Sequence, residues 1–371
     1  MPLKTDFNKI QSVYDRIIGD YSGREPGTRL PSCRAARLRY DCTRKELEMA
    51  LAMLKQAGKI SVFDRRGIFW NSGSDATYRV SIVRTDWPQE YSDTLEAIFA
   101  KHLNAHPDIS FKRSIIPVEP KVEDYLNVLK SRTCDLAVIT CNFTHFSQQD
   151  AGRLLNESPV PIIFLENHIV CRAINLIDSK PEFTGMLAAD YLIRRGHRKI
   201  ALVNAERFNR DTCLERELDG FISYLSLHEI TPEIIDCRHP SQYSSLGSVE
   251  EKGRHYIENH GINFTAAFAT SVDTARGFCS ILKSCGCSIP EDVSIIANSE
   301  VPSAARMDPP LTTIARNFSG YAKAAERMIE IIRKGGHPGI IRVPSYIVER
   351  QSVRDINKTE ALLPEKNKKG E

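Results

Sequence analysis

The chain has 371 residues, of which 42% are hydrophobic and 26% are charged. These are ordinary values for a globular protein, so they exclude bulk disorder, and the length predicts two or three domains. No apolar run reaches the roughly 18 residues that a membrane span requires, and the first residues lack the apolar core of a secretory signal. We therefore expect a cytoplasmic protein with no membrane partner.

The ten cysteines form no Cys-x-x-Cys pair. Paired ligands at short spacing are typical of structural zinc sites, so no metal site is predicted. Cys285 and Cys287, which lie in a predicted helix-to-strand turn, are interpreted as cytosolic thiols.

Charge is distributed unevenly along the chain. Residues 1–75 contain 14 Lys and Arg against 9 Asp and Glu, whereas the remainder contains 36 against 38. A basic head on a nearly neutral body indicates a polyanionic partner for the head, although a solvated basic surface has the same composition.

The first 72 residues predict three helices followed by a hairpin. Apolar residues recur at helical spacing near the amino terminus, and Thr43 and Glu46 form the pattern of a capping box that opens the third helix. The predicted elements are helices over 7–18, 32–40 and 43–58 and strands over 60–64 and 68–70, with Arg65 and Arg66 in the turn between the strands.

Two helices joined by a tight turn, followed by a hairpin, are typical of a winged helix-turn-helix. Capping at Thr43 exposes the first turn of the third helix, where Arg reads guanine edges and Lys contacts phosphate. A winged helix that binds protein is the alternative. The candidate DNA-binding residues are Ser32, Arg34, Thr43, Arg44, Lys45, Arg65 and Arg66.

The stretch from Pro26 to Ile60 resembles the GntR-type winged-helix signature. The matching residues are Pro26-Gly27, Leu30-Pro31-Ser32, Arg34, Thr43-Arg44, Ala50-Leu51 and Leu54 to Gly58. The resemblance implies DNA contacts at Arg34, Thr43 and Arg44. Cys33 and Glu48 depart from the pattern, in which Glu and a second Arg are usual, so the resemblance does not define the operator sequence.

After residue 78 the pattern changes to alternating strands and helices. This alternation predicts βαβ units with parallel sheets, and about 270 residues fit two lobes with a cleft better than one sheet. We predict a DNA-binding domain over 1–72, a linker over 73–77, an α/β body over 78–354 and a disordered tail over 355–371. Strands are predicted at 79–83, 109–116, 136–140, 161–165, 173–177, 199–204, 233–237, 266–269 and 293–297.

Several stretches of the body carry a recognisable pattern: 178–201, Gly220-Phe221, 271–277, 289–296, 309–314 and Arg350-Gln351-Ser352. They resemble the LacI/GalR effector domain, which has the periplasmic-binding-protein fold. They occur in the order found in that family, and the resemblance covers about residues 78–354. A GntR-type head on such a body resembles the arabinose-repressor-like regulators.

A cleft that binds a polyhydroxy ligand needs charged or amide side chains for hydroxyl groups and an aromatic side chain for the ring. Asp273 is the leading candidate, both from its place after a strand and from the resemblance; its alternative role is a helix N-cap. Each other candidate has an ordinary surface or packing role as its alternative. The candidate ligand-binding residues are Trp87, Tyr91, Glu166, Arg210, Arg216, Tyr243, Asp273 and Asn298.

We expect a homodimeric transcription repressor of sugar-use genes that binds a double-stranded operator and a small sugar effector. No nucleotide-loop, hydrolase or metalloprotease motif occurs, so neither a cofactor nor an enzymatic activity is predicted, and His197 is interpreted as structural. The alternatives are a regulator that senses a non-sugar ligand such as a nucleobase, a cytosolic sugar-binding protein and a sugar-modifying enzyme.

Overall fold

The computed structural model describes residues 7–25, 27–56, 59–63, 67–70, 77–86, 90–118, 120–131, 133–140, 148–166, 174–205, 213–238 and 245–357. Most of the predicted linker and the chain from 358 onward lie outside these ranges. The same holds for five candidate site residues: Arg65, Arg66, Trp87, Arg210 and Tyr243.

The head contains the three helices and the hairpin in the predicted order. Its helices are packed around one apolar core that includes Ile17, Tyr40, Leu54 and Trp70, all of which are buried. The elements are α1 (Phe7–Tyr21), α2 (Cys33–Tyr40), α3 (Arg44–Gln56), β1 (Ile60–Phe63) and β2 (Gly67–Trp70), and the two strands pair antiparallel.

The first lobe of the body is a six-stranded parallel sheet whose helices cover both faces. The strands lie in the order β4-β3-β5-β6-β7-β13. Its elements are β3 (Tyr78–Thr85), α4 (Glu90–Leu103), β4 (Ile109–Ile116), α5 (Val122–Lys130), β5 (Leu136–Thr140), α6 (Gln148–Glu157), β6 (Ile162–Leu165), β7 (Asn175–Asp178) and, from much later in the chain, β13 (Ile340–Arg342).

The second lobe has a six-stranded sheet in the order β9-β8-β10-β11-β12-β14, in which β14 alone is antiparallel to its neighbour. Its strands are β8 (Ile200–Asn204), β9 (Glu233–Asp236), β10 (Ala266–Ala269), β11 (Ser294–Asn298), β12 (Thr312–Ala315) and β14 (Tyr346–Val348). The helices that follow the lobe boundary are α7 (Pro181–Arg194), α8 (Cys213–Leu227), α9 (Ser245–Ser248), α10 (Arg254–His260), α11 (Val272–Ser284) and α12 (Phe318–Arg333), and a π-helical turn joins α9 to α10.

Within the described residues, the chain crosses between the lobes three times. Helix α7 follows a strand of the first sheet but packs against the second, while α12 follows β12 of the second sheet and packs against the first. The third crossing lies between β13 and β14. The α/β fold with two sheets that are parallel apart from β14 is therefore confirmed.

Helices α7 and α8 lie unusually close together because each has a glycine at the contact. A Cβ on Gly185 would lie 1.8 Å from the carbonyl oxygen of Glu217, and one on Gly220 would lie 2.1 Å from that of Glu182. Only glycine permits this approach, which fixes the position of α8 and of the side chains that it carries.

All nine predicted body strands are present, with ends that differ by at most two residues. Strands β12, β13 and β14 were not predicted, because each has only three or four residues and two of the three, β13 and β14, contain no fully buried residue. The body also continues past 354, since Ile356 N donates to Arg195 O at 2.9 Å and Asn357 Nδ2 donates to Arg194 O at 2.9 Å.

None of the helices in the described parts of the chain is both long and apolar enough to cross a membrane. Eight cysteines lie in those parts, and none of the eight is in a disulfide.

Candidate functional site

The start of α3 is capped as the sequence predicts. Glu46 N donates to Thr43 Oγ1 at 3.3 Å, and Thr43 N donates to Glu46 Oε2 at 2.8 Å. These reciprocal hydrogen bonds satisfy amide groups that a helix leaves unpaired at its first turn. Thr43, Arg44 and Lys45 are all exposed, so the first turn of α3 faces solvent rather than the rest of the molecule.

The neighbouring helix presents further polar groups. Ser32 is the N-cap of α2, and its Oγ accepts from Ala35 N at 3.3 Å. Arg34, two residues further along the chain, is exposed. On α3, Arg44 Nε donates to Glu48 Oε1 at 2.7 Å, so Glu48 partly neutralises this arginine in the free protein.

Between the two lobes lies a buried polar group that we call the interlobe cluster: Glu166, Glu217, Asn298 and Arg316. Glu166, Asn298 and Arg316 lie at the carboxyl ends of β6, β11 and β12, and Glu217 is in the second turn of α8. The carboxyl ends of parallel strands are where α/β proteins bind ligands, because side chains from several strands converge there.

Arg316 is at the centre of the cluster. Its Nη1 donates to Asn298 Oδ1 at 2.6 Å, its Nη2 donates to Glu217 Oε1, and its Nε lies 3.6 Å from Glu166 Oε2. Asn298 Nδ2 in turn donates to Glu217 Oε2 at 2.7 Å. Because Glu166 belongs to the first lobe and the other three to the second, the cluster joins the lobes.

Glu166 makes further contacts at the lobe boundary. Its Oε1 accepts from Ser179 N at 3.2 Å, and its own carbonyl oxygen accepts from Cys213 Sγ at 2.8 Å. Its φ of 53° is in the left-handed region, which non-glycine residues occupy at a cost. The surrounding contacts stabilise this conformation and direct the carboxylate toward Arg316.

The cluster holds two carboxyl groups and one guanidinium in a water-poor environment. Burial raises the pKa of Glu217 to about 7, against the opposing effect of Arg316. Burial also raises the pKa of Glu166. Glu166 and Glu217 share the single positive charge of Arg316, so one negative charge is left unbalanced within the cluster. This favours protonation of one carboxyl group, or a hydrogen-bond donor beside it.

Tyr91 lies beside this cluster. Its ring packs edge-on against Phe318 with centroids 4.9 Å apart, and burial raises the pKa of its hydroxyl, with Arg316 and Glu166 among the charges that act on it. Three of the predicted ligand-binding residues, Tyr91, Glu166 and Asn298, therefore converge on one place.

Two other candidates lie elsewhere. Arg216 Nε donates to Glu182 Oε1 at 2.7 Å across the contact of α7 with α8. The side chain of Asp273 is 60% exposed and pairs with Arg276 at 3.0 Å. Ser271 is the N-cap of that helix, because its Oγ accepts from Thr274 N at 3.1 Å, so Asp273 does not have the alternative capping role.

Sequence reasoning missed Glu217 and Arg316. Glu217 precedes Phe221 by four residues and Leu225 by eight, so a charged residue occupies the apolar face of α8, and this was a readable signal. Arg316 directly follows a strand, as Glu166 does, and Asn298 is the last residue of one, but β12 itself was not predicted.

Residues 189–353 match the family model described as a periplasmic binding protein-like domain. Among curated proteins, the chain is similar to the HTH-type transcriptional repressor PurR of Vibrio atlanticus, with 27% identity over 246 residues, 64% of this chain and 70% of that protein. A PurR of Yersinia enterocolitica is 25% identical over 319 residues, 84% of this chain and 86% of that protein. These relatives are transcriptional repressors rather than enzymes, which agrees with the prediction of a non-enzymatic protein.

Solved structures of the same fold include the lac repressor dimer bound to operator and an anti-inducer. It has a TM-score of 0.63 and 19% identity, and the match covers 76% of this chain and 96% of that one. A LacI family regulator from Enterococcus faecium with bound ribose has a TM-score of 0.59 and 24% identity, with 75% of this chain and 99% of that one covered.

Proposed function

We propose that this chain, which carries an effector domain of the LacI/GalR family, is a DNA-binding transcription repressor controlled by a small sugar bound between its lobes. The interlobe cluster is the observation that carries this proposal. It places buried donors and acceptors from both lobes at the ends of two parallel sheets, where a ligand bridges the lobes.

In this proposal the head is a GntR-type winged helix that binds double-stranded DNA. The exposed first turn of α3 enters the major groove, with Arg44 on a guanine edge and Lys45 on phosphate. When the head binds DNA, Arg44 gives up its ion pair with Glu48 and contacts the guanine edge instead. In this proposal Ser32 and Arg34 contact the phosphate backbone of the DNA. Arg65 and Arg66 are assigned the same role from the sequence alone.

A sugar suits the chemistry of the cluster. Glu166 and Glu217 accept hydrogen bonds from hydroxyl groups, Arg316 donates, Asn298 does both, and Tyr91 offers an aromatic ring. Trp87, Arg210 and Tyr243 remain candidate ligand-binding residues on the basis of the sequence alone. Arg216 and Asp273 lie away from the cluster, and would contact the ligand only in a different arrangement of the two lobes.

Helix α12 provides a physical connection between the cluster and the head. It starts two residues after Arg316, and the turn at its end meets the head, where a Cβ on Gly335 would lie 2.8 Å from Lys55 Nζ. A ligand that moves Arg316 thus shifts a helix that contacts the head. In a homodimer this shift changes the spacing of two heads on a pseudo-palindromic operator, and a coupling of about 1–3 kcal/mol changes DNA affinity about 5–150-fold.

The DNA-binding proposal is tested on the full-length protein. A duplex pool is selected for binding, and affinity for the selected sequence is measured by gel shift at several salt concentrations. Arg44→Ala is expected to weaken binding by about 1–3 kcal/mol, while Arg24→Ala, an exposed arginine that donates to Asp20 O in the same domain, serves as the matched control. Equal affinity of the two variants, or no duplex selected above background, refutes the proposal.

The ligand proposal is tested by a thermal-shift screen of pentoses, hexoses, uronic acids and nucleobases. A ligand that binds only the native state raises its melting temperature. A sugar is expected to do so and to release the selected duplex, and Asn298→Ala is expected to abolish the shift without preventing DNA binding. Stabilisation by a nucleobase alone favours the other ligand class, and tighter DNA binding with sugar indicates corepression.

A further inference from the structure

A cluster of metal-binding side chains lies on the first lobe, away from the interlobe cluster. His102 is in the last turn of α4, His106 is in the turn that follows, and Glu326 is on α12. One ligand atom from each lies within 4.8 Å of the other two. Cysteine spacing gives no sign of this group, in which two histidines meet a glutamate that is more than 200 residues away in the chain.

From this geometry we infer that His102, His106 and Glu326 form a binding site for a borderline divalent cation of the Zn²⁺ type. Nε2 of His102 lies 2.7 Å from one carboxylate oxygen of Glu326, and Nε2 of His106 lies 3.1 Å from the other. Zinc ligands lie about 2.0–2.2 Å from the ion, which puts tetrahedral neighbours about 3.3 Å apart, so each of the two His-to-Glu separations is within roughly half an ångström of that in a tetrahedral site.

The donor set determines the kind of cation. Two imidazole nitrogens and one carboxylate suit Zn²⁺, Co²⁺ and Ni²⁺, whereas Mg²⁺ prefers oxygen ligands. The three side chains are 27%, 36% and 26% exposed, so water reaches the remaining coordination position.

The site has a structural consequence. Helices α4 and α12 form one interface, with Tyr91 against Phe318 at one end and the histidine cluster at the other. A bound cation joins α4, the turn after it and α12, and it therefore fixes α12 on the first lobe. This proposal stands on its own contacts and does not depend on DNA or sugar binding.

The test uses the full-length protein after dialysis against EDTA, with calorimetric titration of ZnCl₂ and MgCl₂. One equivalent of Zn²⁺ is expected to bind and Mg²⁺ is not. Glu326→Gln and His106→Gln, which keep the side-chain volume and a hydrogen-bonding group, are expected to lower Zn²⁺ affinity at least about tenfold. His255→Gln, an exposed histidine on α10, is the matched control.

Co²⁺ absorption distinguishes this site from the cysteines. The wild type is expected to show ligand-field bands without a thiolate charge-transfer band, and Glu326→Gln, with an unchanged far-UV spectrum, is expected to lose them. Absence of Zn²⁺ binding, equal binding by all variants, or a thiolate band overturns the proposal, and the three residues are then an ordinary hydrogen-bonded group.

Discussion

Replacing Arg316 with Met removes the cation of the interlobe cluster and keeps most of the side-chain volume. Arg316 and Glu217 are 7% and 1% exposed, and Glu166 is 5% exposed. The variant leaves two buried carboxyl groups without a counter-charge. Breaking a buried ion pair from one side costs about 3–5 kcal/mol, so we expect Arg316→Met to lower the free energy of unfolding by this amount at pH 8.

The pH dependence of this loss follows from the carboxyl groups. In the wild type the pKa of Glu217 is already raised to about 7, and removing Arg316 raises it further. A raised carboxyl pKa means that the native state binds more protons than the unfolded state, so its stability rises as the pH falls through the folded pKa toward the unfolded value. The defect of Arg316→Met is therefore expected to shrink between pH 8 and pH 5.

The assay is urea unfolding followed by tryptophan fluorescence and circular dichroism at pH 5, 6, 7 and 8. The matched control is Arg216→Met, which breaks a pair with Glu182 whose side chains are 32% and 31% exposed. Such pairs contribute about 0–1 kcal/mol, so the control is expected to be nearly neutral at every pH. A loss of stability below about 1 kcal/mol for Arg316→Met at pH 8, or a loss that grows as the pH falls, would show that Arg316 does not balance the charge of the two carboxyl groups.

Two further predictions concern packing and a buried histidine. Gly185→Ala is expected to destabilise the protein by several kcal/mol, roughly the upper range for a core clash, because its Cβ would lie 1.8 Å from a backbone oxygen. Gly152→Ala is the control, since nothing lies within 4 Å of its Cβ position. In the same urea assay it is expected to be neutral or slightly stabilising. His197 is buried with Thr265 Oγ1 2.9 Å from its Nδ1, and burial lowers its pKa to about 4. Because the pKa of His197 is lower in the folded than in the unfolded state, the native state loses up to about 3 kcal/mol of stability as the pH falls from about 6.5 to 4. The melting temperature of a His197→Asn variant is therefore expected to depend less on acid than that of the wild type. The same acid dependence in both proteins would contradict this.

The larger features of the fold were readable because their signals are local. The capping box at Thr43 depends on residues three apart, and the nine body strands are short apolar runs bounded by turn residues. Helices between them dictated parallel sheets, since only a crossover returns the chain in the same direction.

The site was readable only in part, because its assembly is not local. Glu166 and Asn298 were found by the rule that ligand residues follow strands, but their common partner Arg316 follows a strand too short and polar to recognise. Arg216 was a candidate whereas its neighbour Glu217 was missed, and sequence spacing does not say which of two adjacent charged residues faces inward. The contact of Glu326 with His102 depends entirely on how α12 returns to the first lobe.

The exchange of helices between the two halves of the body has a consequence for dissection of the protein. The segment from β3 to β7 lacks α12 and β13, which complete its apolar core and its sheet edge, and the segment that follows it supplies them. A fragment cut at this boundary would expose Val80, Phe99 and Ile163 to water. Neither half can therefore be excised as a contiguous, self-sufficient piece, and duplication or swapping of one half between homologous proteins must carry two separate stretches of sequence together.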